Sequence, residues 1–308
     1  MSTASTTSPF AAALARGPVA LDGGLSNQLE SAGHDLSDEL WSARLLAEQP
    51  EAITAAHQAY YEAGAQVAIT SSYQATFEGF ARRGIGHEAA AGLLRRSVEL
   101  AREAARRATK GGVPGPLYVA ASAGPYGAML ADGSEYRGRY GLSVDELERF
   151  HRPRLEVLAS AEPDVLALET VPDADEGRAL VRAVRGLGVP AWLSYSVADG
   201  RTRAGQPLED AFALAAEVPE IVAVGVNCCV PEDADAAVEV AARATGKPVV
   251  VYPNSGEQWD AQARAWRGRA TFTTERVAAW RAGGARLIGG CCRVGPDAVS
   301  ALAGLLAH

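Results

Sequence analysis

All four cysteines of the chain occur in two adjacent pairs, Cys228 with Cys229 in "VAVGVNCCVPED" and Cys291 with Cys292 in "RLIGGCCRVGP". Each pair follows a short apolar run that is typical of a buried strand. Thiolates bind Zn²⁺ at about 2.3 Å, and three protein ligands leave a fourth position open, as in a catalytic site. Zinc held by three thiolates has a formal charge of −1, which suits activation of an incoming thiol better than generation of hydroxide.

The cysteine pairs have other interpretations. Free cysteine is among the most buried residue types, so a pair can be simple apolar packing, or one pair can be redox-active. Cys229 as a fourth protein ligand would close the metal site and make it structural. Two pairs at two predicted strand ends favour a metal site over these alternatives. His57, in a predicted helix, is interpreted as a surface or packing residue and not as a ligand.

Eight short runs rich in Val, Ile, Leu and Ala alternate with amphipathic segments along the chain. They cover residues 19–24, 66–72, 117–123, 164–170, 191–197, 221–228, 247–254 and 285–292. Parallel strands covered on both faces have this composition. Eight strand–helix units in about 290 residues predict an α/β fold, a (β/α)8 TIM barrel in a single domain. A doubly wound open sheet gives a similar alternation and is the alternative.

A barrel would bring the cysteines together, because the carboxyl ends of all its strands meet at one mouth. Cys228 lies at the end of the sixth predicted strand, and Cys291 and Cys292 lie at the end of the eighth. Adjacent residues of a strand point to opposite faces, so Cys291 and Cys292 can share one ion only where the backbone leaves strand geometry. Gly289 and Gly290 are predicted to allow that change, since glycine tolerates positive φ.

Composition and charge limit the class of partner. The chain has 308 residues, 48% of them hydrophobic, with a formal charge of −8 and a pI near 5.3. These values weigh against nucleic acid and anionic membrane, which both require clustered Lys and Arg. No run approaches the ~18 apolar residues of a membrane span. Residues 1–17 lack the basic and apolar regions of a secretory signal and are predicted to be a disordered tail, with a transit peptide as the alternative.

Several segments resemble the homocysteine S-methyltransferase family. "LDGGLSNQLE" (21–30), "GVNC" (225–228) and "GGCCR" (289–293) are similar to its three signatures, and the similarity runs in order from about residue 18 to residue 305. The resemblance implies that residues 18–308 form a homocysteine-binding (β/α)8 barrel, whereas the prediction of a cytoplasmic protein rests on the composition and charge above. It implies methyl transfer from a cationic donor to homocysteine, forming methionine.

The same resemblance implies the metal and substrate sites. The Zn²⁺ ligands and catalytic residues are Cys228, Cys291 and Cys292, whereas Cys229 departs from the family pattern. The residues implied to bind homocysteine lie at predicted carboxyl ends of strands: Asp22, Gly23, Gly24, Thr70, Ser72, Glu169 and Asn227. Of these, Asp22 and Glu169 would take the ammonium, while the glycine backbone and the hydroxyl of Thr70 or Ser72 would take the carboxylate. Taken alone, Asp22 is typical of a turn and Glu169 of a helix cap.

The methyl donor is predicted to be a cation, because an anionic sulfur cluster attracts one and aromatic faces bind sulfonium or quaternary ammonium groups. The aromatic candidates in predicted mouth loops are Tyr73, Tyr126, Tyr252 and Trp259. "VYPNSGE" and "GPYGAMLADGSEYRG" resemble the branch that uses S-methylmethionine or S-adenosylmethionine. Betaine as donor, a different thiol acceptor, and a non-catalytic zinc-binding or redox-sensing barrel are the alternatives. The sequence does not predict an oligomeric state.

Overall fold

The computed structural model describes residues 8–36, 41–260 and 265–307. Eight parallel strands form one sheet: β1 (Val19–Ala20), β2 (Val67–Ile69), β3 (Tyr118–Ala123), β4 (Val165–Val171), β5 (Ala191–Tyr195), β8 (Ile221–Asn227), β9 (Val249–Tyr252) and β12 (Ala285–Ile288). Two hairpins lie outside it, β6 (Val197–Ala198) with β7 (Arg201–Thr202), and β10 (Gln258–Asp260) with β11 (Ala265–Arg267).

The barrel closes by a contact between the two end strands of the sheet. The strand order is β1-β12-β9-β8-β5-β4-β3-β2. A parallel bridge joins Leu21, which follows β1, to Val67 of β2, and Asp22 N donates to Val67 O at 3.0 Å. The predicted (β/α)8 barrel is confirmed, and the open doubly wound sheet is wrong.

Helices cover the outside of the barrel and its two ends. They are α1 (Pro9–Arg16), α2 (Leu25–Ser31), α3 (Trp41–Glu48), α4 (Pro50–Glu62), α5 (Phe77–Ala81), α6 (His87–Lys110), α7 (Tyr126–Leu130), α8 (Val144–Ser160), α9 (Ala174–Ala183), α10 (Leu208–Ala213), α11 (Pro231–Thr245), α12 (Thr274–Ala282) and α13 (Pro296–Leu306). A capping box of Ser143 and Glu146 starts α8, which continues through Pro153 undivided. Within the described ranges, every helix is too short or too polar to span a bilayer.

Helix α1 corrects the prediction of a disordered tail over residues 1–17. Ser8 Oγ accepts a hydrogen bond from Ala11 N at 3.1 Å and caps the helix. Phe10 is buried, and its ring meets the Tyr118 ring edge-on with centroids 5.4 Å apart. So short a helix is marginal on its own, and this contact with the barrel interior stabilises it. Residues 1–7 lie outside the described residues.

The strands have two buried faces. In β3, Tyr118 and Ala120 point into the barrel and join an interior cluster with Phe10 and Trp192. Val119 and Ala121 point outward and join the larger cluster between the strands and the helices. Because side chains alternate along a strand, both faces are apolar and each strand appears in the sequence as a continuous hydrophobic run.

Gly225 is required for the close approach of β8 to β9. A Cβ at this position would lie 1.8 Å from Val250 O, so Gly225→Ala is expected to lower the free energy of unfolding by about 3 kcal/mol. Gly92 provides the matched control, because it is exposed in α6 and an added Cβ would meet no heavy atom within 4 Å. Gly92→Ala is expected to raise the free energy of unfolding by about 0.5–1 kcal/mol. Urea unfolding measures both, and equal stability of wild type and Gly225→Ala would contradict the prediction.

His57 is a packing residue of α4, as predicted, but it lies in the interior and not on the surface. Its ring is fully buried, and neither ring nitrogen has a hydrogen-bond partner among the described residues. Burial lowers the pKa of His57 from 6.5 to about 4. The unfolded chain therefore binds a proton that the folded chain excludes, and stability present above pH 6.5 is lost as the pH falls from 6.5 to 4, by about 3 kcal/mol.

Replacement of His57 by leucine is expected to remove this part of the pH dependence. The free energies of unfolding of the variant and the wild type are compared at pH 7 and at pH 4. The difference should shift by about 3 kcal/mol in favour of His57→Leu at the lower pH. A difference that stays constant with pH would show that His57 does not titrate in this window.

Candidate metal centre and substrate pocket

Three cysteine sulfurs meet at the mouth of the barrel. Cys228 follows the last residue of β8 and has φ +52°, so the chain turns sharply out of the strand at this residue. Its Sγ lies 3.2 Å from Cys291 Sγ and 3.9 Å from Cys292 Sγ, and the three sulfurs all lie within 4.8 Å of one another. Sulfurs bound to one tetrahedral zinc ion stand about 3.8 Å apart, so the spacing and the soft donor set fit such an ion.

Cys229 points away from the metal centre. Its side chain is fully buried in the cluster between strands and helices, on the outer face of the barrel. The group of metal-binding residues found among the described residues contains Cys228, Cys291 and Cys292 only. Among the described residues the cluster therefore offers three sulfurs, and a tetrahedral ion bound by them would keep a fourth position open.

Gly289 and Gly290 serve close packing and not the positive φ predicted from the sequence. Neither has a positive φ in the structure. A Cβ on Gly289 would lie 2.5 Å from Leu21 Cβ, and one on Gly290 would lie 2.1 Å from Val294 Cγ1. Gly290 N also donates to Asp22 O at 3.0 Å, which fixes the loop after β12 against the loop after β1.

The three thiols change one another's pKa. Hydrogen bonds from Cys228 and then Cys291 hold the pKa of Cys292 well below its usual value. The pKa of Cys291 is raised by its hydrogen bonds with Cys228 and then Cys292, and by burial. One thiolate is stabilised while further negative charges are opposed, so a cation is needed before all three sulfurs can be anionic.

A cavity of about 170 Å³ lies directly above the sulfurs. The predicted site residues that line it are Gly23, Gly24, Thr70, Tyr73, Glu169, Tyr252, Cys228, Cys291 and Cys292. They come from the loops or ends of β1, β2, β4, β8, β9 and β12. The predicted convergence of strand ends on one site is thus observed for most of the candidate residues.

Two buried carboxyl groups belong to the predicted site: Glu169 lines this pocket, whereas Asp22 is buried behind its wall and is not among the lining residues. Glu169 Oε2 accepts from Tyr252 OH at 2.9 Å, and its Oε1 accepts from Ser122 Oγ. Burial raises the pKa of Glu169 to about 7 against the effect of these two bonds. Asp22 Oδ2 accepts from Ile69 N at 2.8 Å, while its Oδ1 has no partner among the described residues. Burial and then the charge of Glu169 raise the Asp22 pKa, so a bound cation would stabilise both carboxylates.

The hydroxyl groups after β2 have distinct positions. Thr70 lines the cavity, whereas Ser72 lies behind it, 2.7 Å from Thr70 Oγ1 and donating to Ser122 O at 2.8 Å. Ser71, which sequence reasoning missed, lines the cavity and its Oγ has no partner among the described residues. β2 ends at Ile69, so strand alternation does not decide which of these hydroxyl groups faces the cavity.

Gly24 and Asn227 stabilise the pocket walls. Gly24 N already donates to Val294 O at 2.9 Å, so its N–H is not available to a substrate carboxylate as predicted. Asn227 lies behind the pocket, where its Oδ1 accepts from Thr170 N and its Nδ2 donates to Thr170 Oγ1, both at 2.7 Å. These bonds hold Thr170, a cavity residue, at φ +57°. Asn227 is therefore not among the residues that line the cavity, and its side chain contacts Thr170 instead.

The comparisons with known proteins agree with this geometry. A sequence model described as homocysteine S-methyltransferase matches residues 19–306. The chain belongs to the homocysteine S-methyltransferase family. Its relatives in that family include homocysteine S-methyltransferase of Escherichia coli, 47% identical over 92% of this chain and 93% of that protein, and homocysteine S-methyltransferase YbgG of Bacillus subtilis, 44% identical over 92% and 93%. The resemblance stated from the sequence is confirmed.

Solved structures of the homocysteine S-methyltransferase family support the fold. The chain superposes on the metallated form of the homocysteine methyltransferase MmuM of Escherichia coli with a TM-score of 0.84, at 45% identity over 94% of this chain and 96% of that one. The oxidized form of MmuM gives a TM-score of 0.84 at 46% identity, over 93% and 95%. Together with the three cysteines, these matches identify an enzyme barrel whose mouth can hold a metal ion.

The aromatic residues predicted to bind the donor of this family's reaction differ in position. Tyr73 and Tyr252 line the cavity. Tyr126 does not, and packs instead against Tyr140 and Phe150 with ring centroids 5.2 and 4.9 Å away. Trp259 lies in β10, paired with β11, and its side chain falls outside the described residues.

Tyr136 is the aromatic residue that sequence reasoning missed. It ends a short 3-10 helix (Ser134–Tyr136), lines the cavity, and places its hydroxyl 3.3 Å from Cys228 Sγ. The segment "LADGSEYRG" carries it, but only the loop conformation distinguishes this tyrosine from Tyr126, ten positions earlier.

Proposed function

We propose that this chain is a zinc-dependent homocysteine S-methyltransferase that uses a sulfonium donor, S-methylmethionine or S-adenosylmethionine, and forms methionine. The observation that carries the proposal is the meeting of three cysteine sulfurs and the buried carboxyl group of Glu169 in one pocket, with the buried carboxyl group of Asp22 behind its wall. Cys228, Cys291 and Cys292 would hold the Zn²⁺, which would act as a Lewis acid that favours the thiolate form of the acceptor at neutral pH. A cytoplasmic location, where the four thiols stay reduced, is part of the same proposal.

The residues of the chain orient the acceptor amino acid. Glu169, fixed by Tyr252 and Ser122, and Asp22, fixed by Ile69 N, supply the negative charge that binds the homocysteine ammonium. The hydroxyl groups of Thr70 and Ser71 face the same cavity and are suited to the carboxylate. Holding both ends of the amino acid leaves the thiol as the free end, directed at the sulfur cluster.

The reaction moves a methyl group without its bonding electrons. The acceptor sulfur forms a new S–C bond as the donor S–C bond breaks, and the electron pair stays on the donor sulfur, which becomes a neutral thioether. No general base has to act on the methyl group, so the contribution of the chain is alignment of the two sulfurs and exclusion of water. Tyr73 and Tyr136 present the aromatic surface of the cavity to the incoming cation.

Methionine formation from homocysteine tests the proposal. Zinc-loaded protein is incubated with homocysteine and with S-methylmethionine, S-adenosylmethionine or betaine in parallel. We expect turnover with at least one of the two sulfonium donors and much less with betaine. Turnover with betaine alone would identify the other donor class, and methylation of other thiols but not of homocysteine would refute the acceptor.

A further inference from the structure

Arg203 is a cation without a counter-ion beside the mouth of the pocket. It follows β7, is half-buried, and forms no ion pair among the described residues. Its Nε donates to Ser196 Oγ at 3.2 Å, and its Cζ lies 5.7 Å from the centre of the Tyr136 ring. Asp233, whose pKa responds to the charge of Arg203, accepts instead from Asp199 N at 3.0 Å. The two terminal nitrogens of Arg203 therefore have no hydrogen-bond partner or ion pair among the described residues.

Other arginine side chains near the mouth are already engaged. Arg139 donates through Nε and Nη2 to Ala204 O, at 2.9 and 2.6 Å. Arg293 forms an ion pair with Glu257 at 3.1 Å. Arg203 differs from both because its one hydrogen bond uses Nε and leaves the outer edge of the guanidinium open.

Tyr136 connects Arg203 to the reacting centre. One end of its side chain places the hydroxyl 3.3 Å from Cys228 Sγ, and its ring lies beneath the Arg203 guanidinium. These contacts place the guanidinium within about 12 Å of the Cys228 sulfur. Ser196, the partner of Arg203, also donates to Cys228 O at 3.2 Å, so Arg203 is fixed to the same loop as the metal-binding cysteine.

We infer that Arg203 binds the carboxylate of an amino-acid sulfonium donor. The inference rests on the proposed function and names the part of the donor that the site recognises. Two sulfurs that exchange a methyl group stand about 4–5 Å apart, and the carboxylate of an extended amino-acid sulfonium lies about 5 Å beyond its sulfur. Added together, these two spans are comparable to the distance of up to about 12 Å between the Cys228 sulfur and the Arg203 guanidinium. A planar guanidinium binds a carboxylate through two parallel hydrogen bonds, which a neutral carboxamide cannot reproduce.

The experiment compares S-methylmethionine with its carboxamide, which keeps the sulfonium and loses the carboxylate charge. KM for each donor is measured at saturating homocysteine, and equilibrium binding of each donor is measured by calorimetry without homocysteine. We expect Arg203→Gln to raise KM and Kd for S-methylmethionine at least tenfold, to leave both values for the carboxamide within twofold of wild type, and to change kcat less than threefold. For S-methylmethionine, the KM and Kd of Arg203→Lys should lie between those of wild type and those of Arg203→Gln.

Arg137→Gln is the matched control, because Arg137 is exposed and adjacent to Tyr136 in sequence. It should leave KM for both donors unchanged. Equal increases of KM for the two donors in Arg203→Gln, or no increase for either donor, would overturn the inference. A loss of the preference for S-methylmethionine over its carboxamide in Arg137→Gln would overturn it as well. Melting temperature and zinc content per chain are recorded for every variant, and Arg203→Lys replaces Arg203→Gln if the latter does not fold.

The two hypotheses fail in different ways. The proposed function is refuted if wild-type protein forms no methionine from homocysteine with any sulfonium donor. If wild-type protein forms methionine equally well with S-methylmethionine and with its carboxamide, only the inferred binding of the donor carboxylate by Arg203 is refuted.

Discussion

Replacement of Cys292 by serine is expected to abolish zinc retention and to lower methionine formation about 1,000-fold or more. The apparent binding free energy of zinc in protein sites is on the order of 10–16 kcal/mol at neutral pH, and three thiolates would share most of it in the proposed site. Loss of one soft ligand removes about 4 kcal/mol or more, which is a factor of about 1,000 in the dissociation constant. A serine hydroxyl does not replace the thiolate, because it stays protonated at neutral pH.

Cys229→Ser provides the control for this substitution. Cys229 is adjacent in sequence to a member of the cluster and is also buried, but it points into the packing between strands and helices. We expect this variant to keep one zinc ion per chain and to lose about 1–3 kcal/mol of stability through a buried hydroxyl. Metal analysis of protein purified without added zinc, with urea unfolding in parallel, separates the two effects. Stoichiometric zinc in Cys292→Ser, or equal zinc loss in both variants, would contradict the ligand assignment.

Much of the fold and of the sulfur cluster follows from local sequence signals. The eight strands are recognisable because each is short, apolar on both faces and bounded by glycine, proline or polar residues. Once a closed barrel is inferred, the position of Cys228, Cys291 and Cys292 after their strands is enough to bring them to one mouth. The unequal roles of Cys228 and Cys229 follow from the family resemblance, in which Cys229 departs from the pattern, because both cysteines come after the last residue of β8 and strand alternation does not extend to them.

The parts that could not be predicted depend on backbone conformation after the strands end. Cys228 and Thr170 have φ values of +52° and +57°, an unfavourable region for residues with a side chain. Hydrogen bonds with Asn227 stabilise Thr170 in this conformation. Neither the positive φ of Thr170 nor its bonding to Asn227 can be recognised in the sequence. Tyr136 reaches the cysteine cluster and Tyr126 does not because of the loop between them. Helix α1 likewise depends on a distant contact, that of Phe10 with Tyr118.

Glu169→Gln is expected to raise KM for homocysteine about 100-fold or more while zinc content stays at the wild-type level. The carboxylate is fully desolvated, and removal of one partner of a buried ion pair costs about 3–5 kcal/mol. Glutamine keeps the size of the side chain, and the hydroxyls of Tyr252 and Ser122 can rotate to meet the amide. Tyr252→Phe removes one hydrogen bond and keeps the charge, so its effect on KM should be smaller, about tenfold.

A second acceptor separates recognition of the ammonium from general damage to the pocket. 4-Mercaptobutanoate has the thiol and the carboxylate of homocysteine but no amino group, so it cannot form the ion pair with Glu169. Wild-type protein should therefore use it poorly, and Glu169→Gln should lower its kcat/KM less than tenfold further, because the neutral side chain no longer leaves a buried charge unpaired. The coupling between the amino group of the acceptor and the carboxylate of Glu169 is the ratio of two effects: the loss of kcat/KM that Glu169→Gln causes with homocysteine, and the loss it causes with 4-mercaptobutanoate. Equal losses of kcat/KM for both thiols would mean that Glu169 maintains the shape of the pocket and does not bind the ammonium.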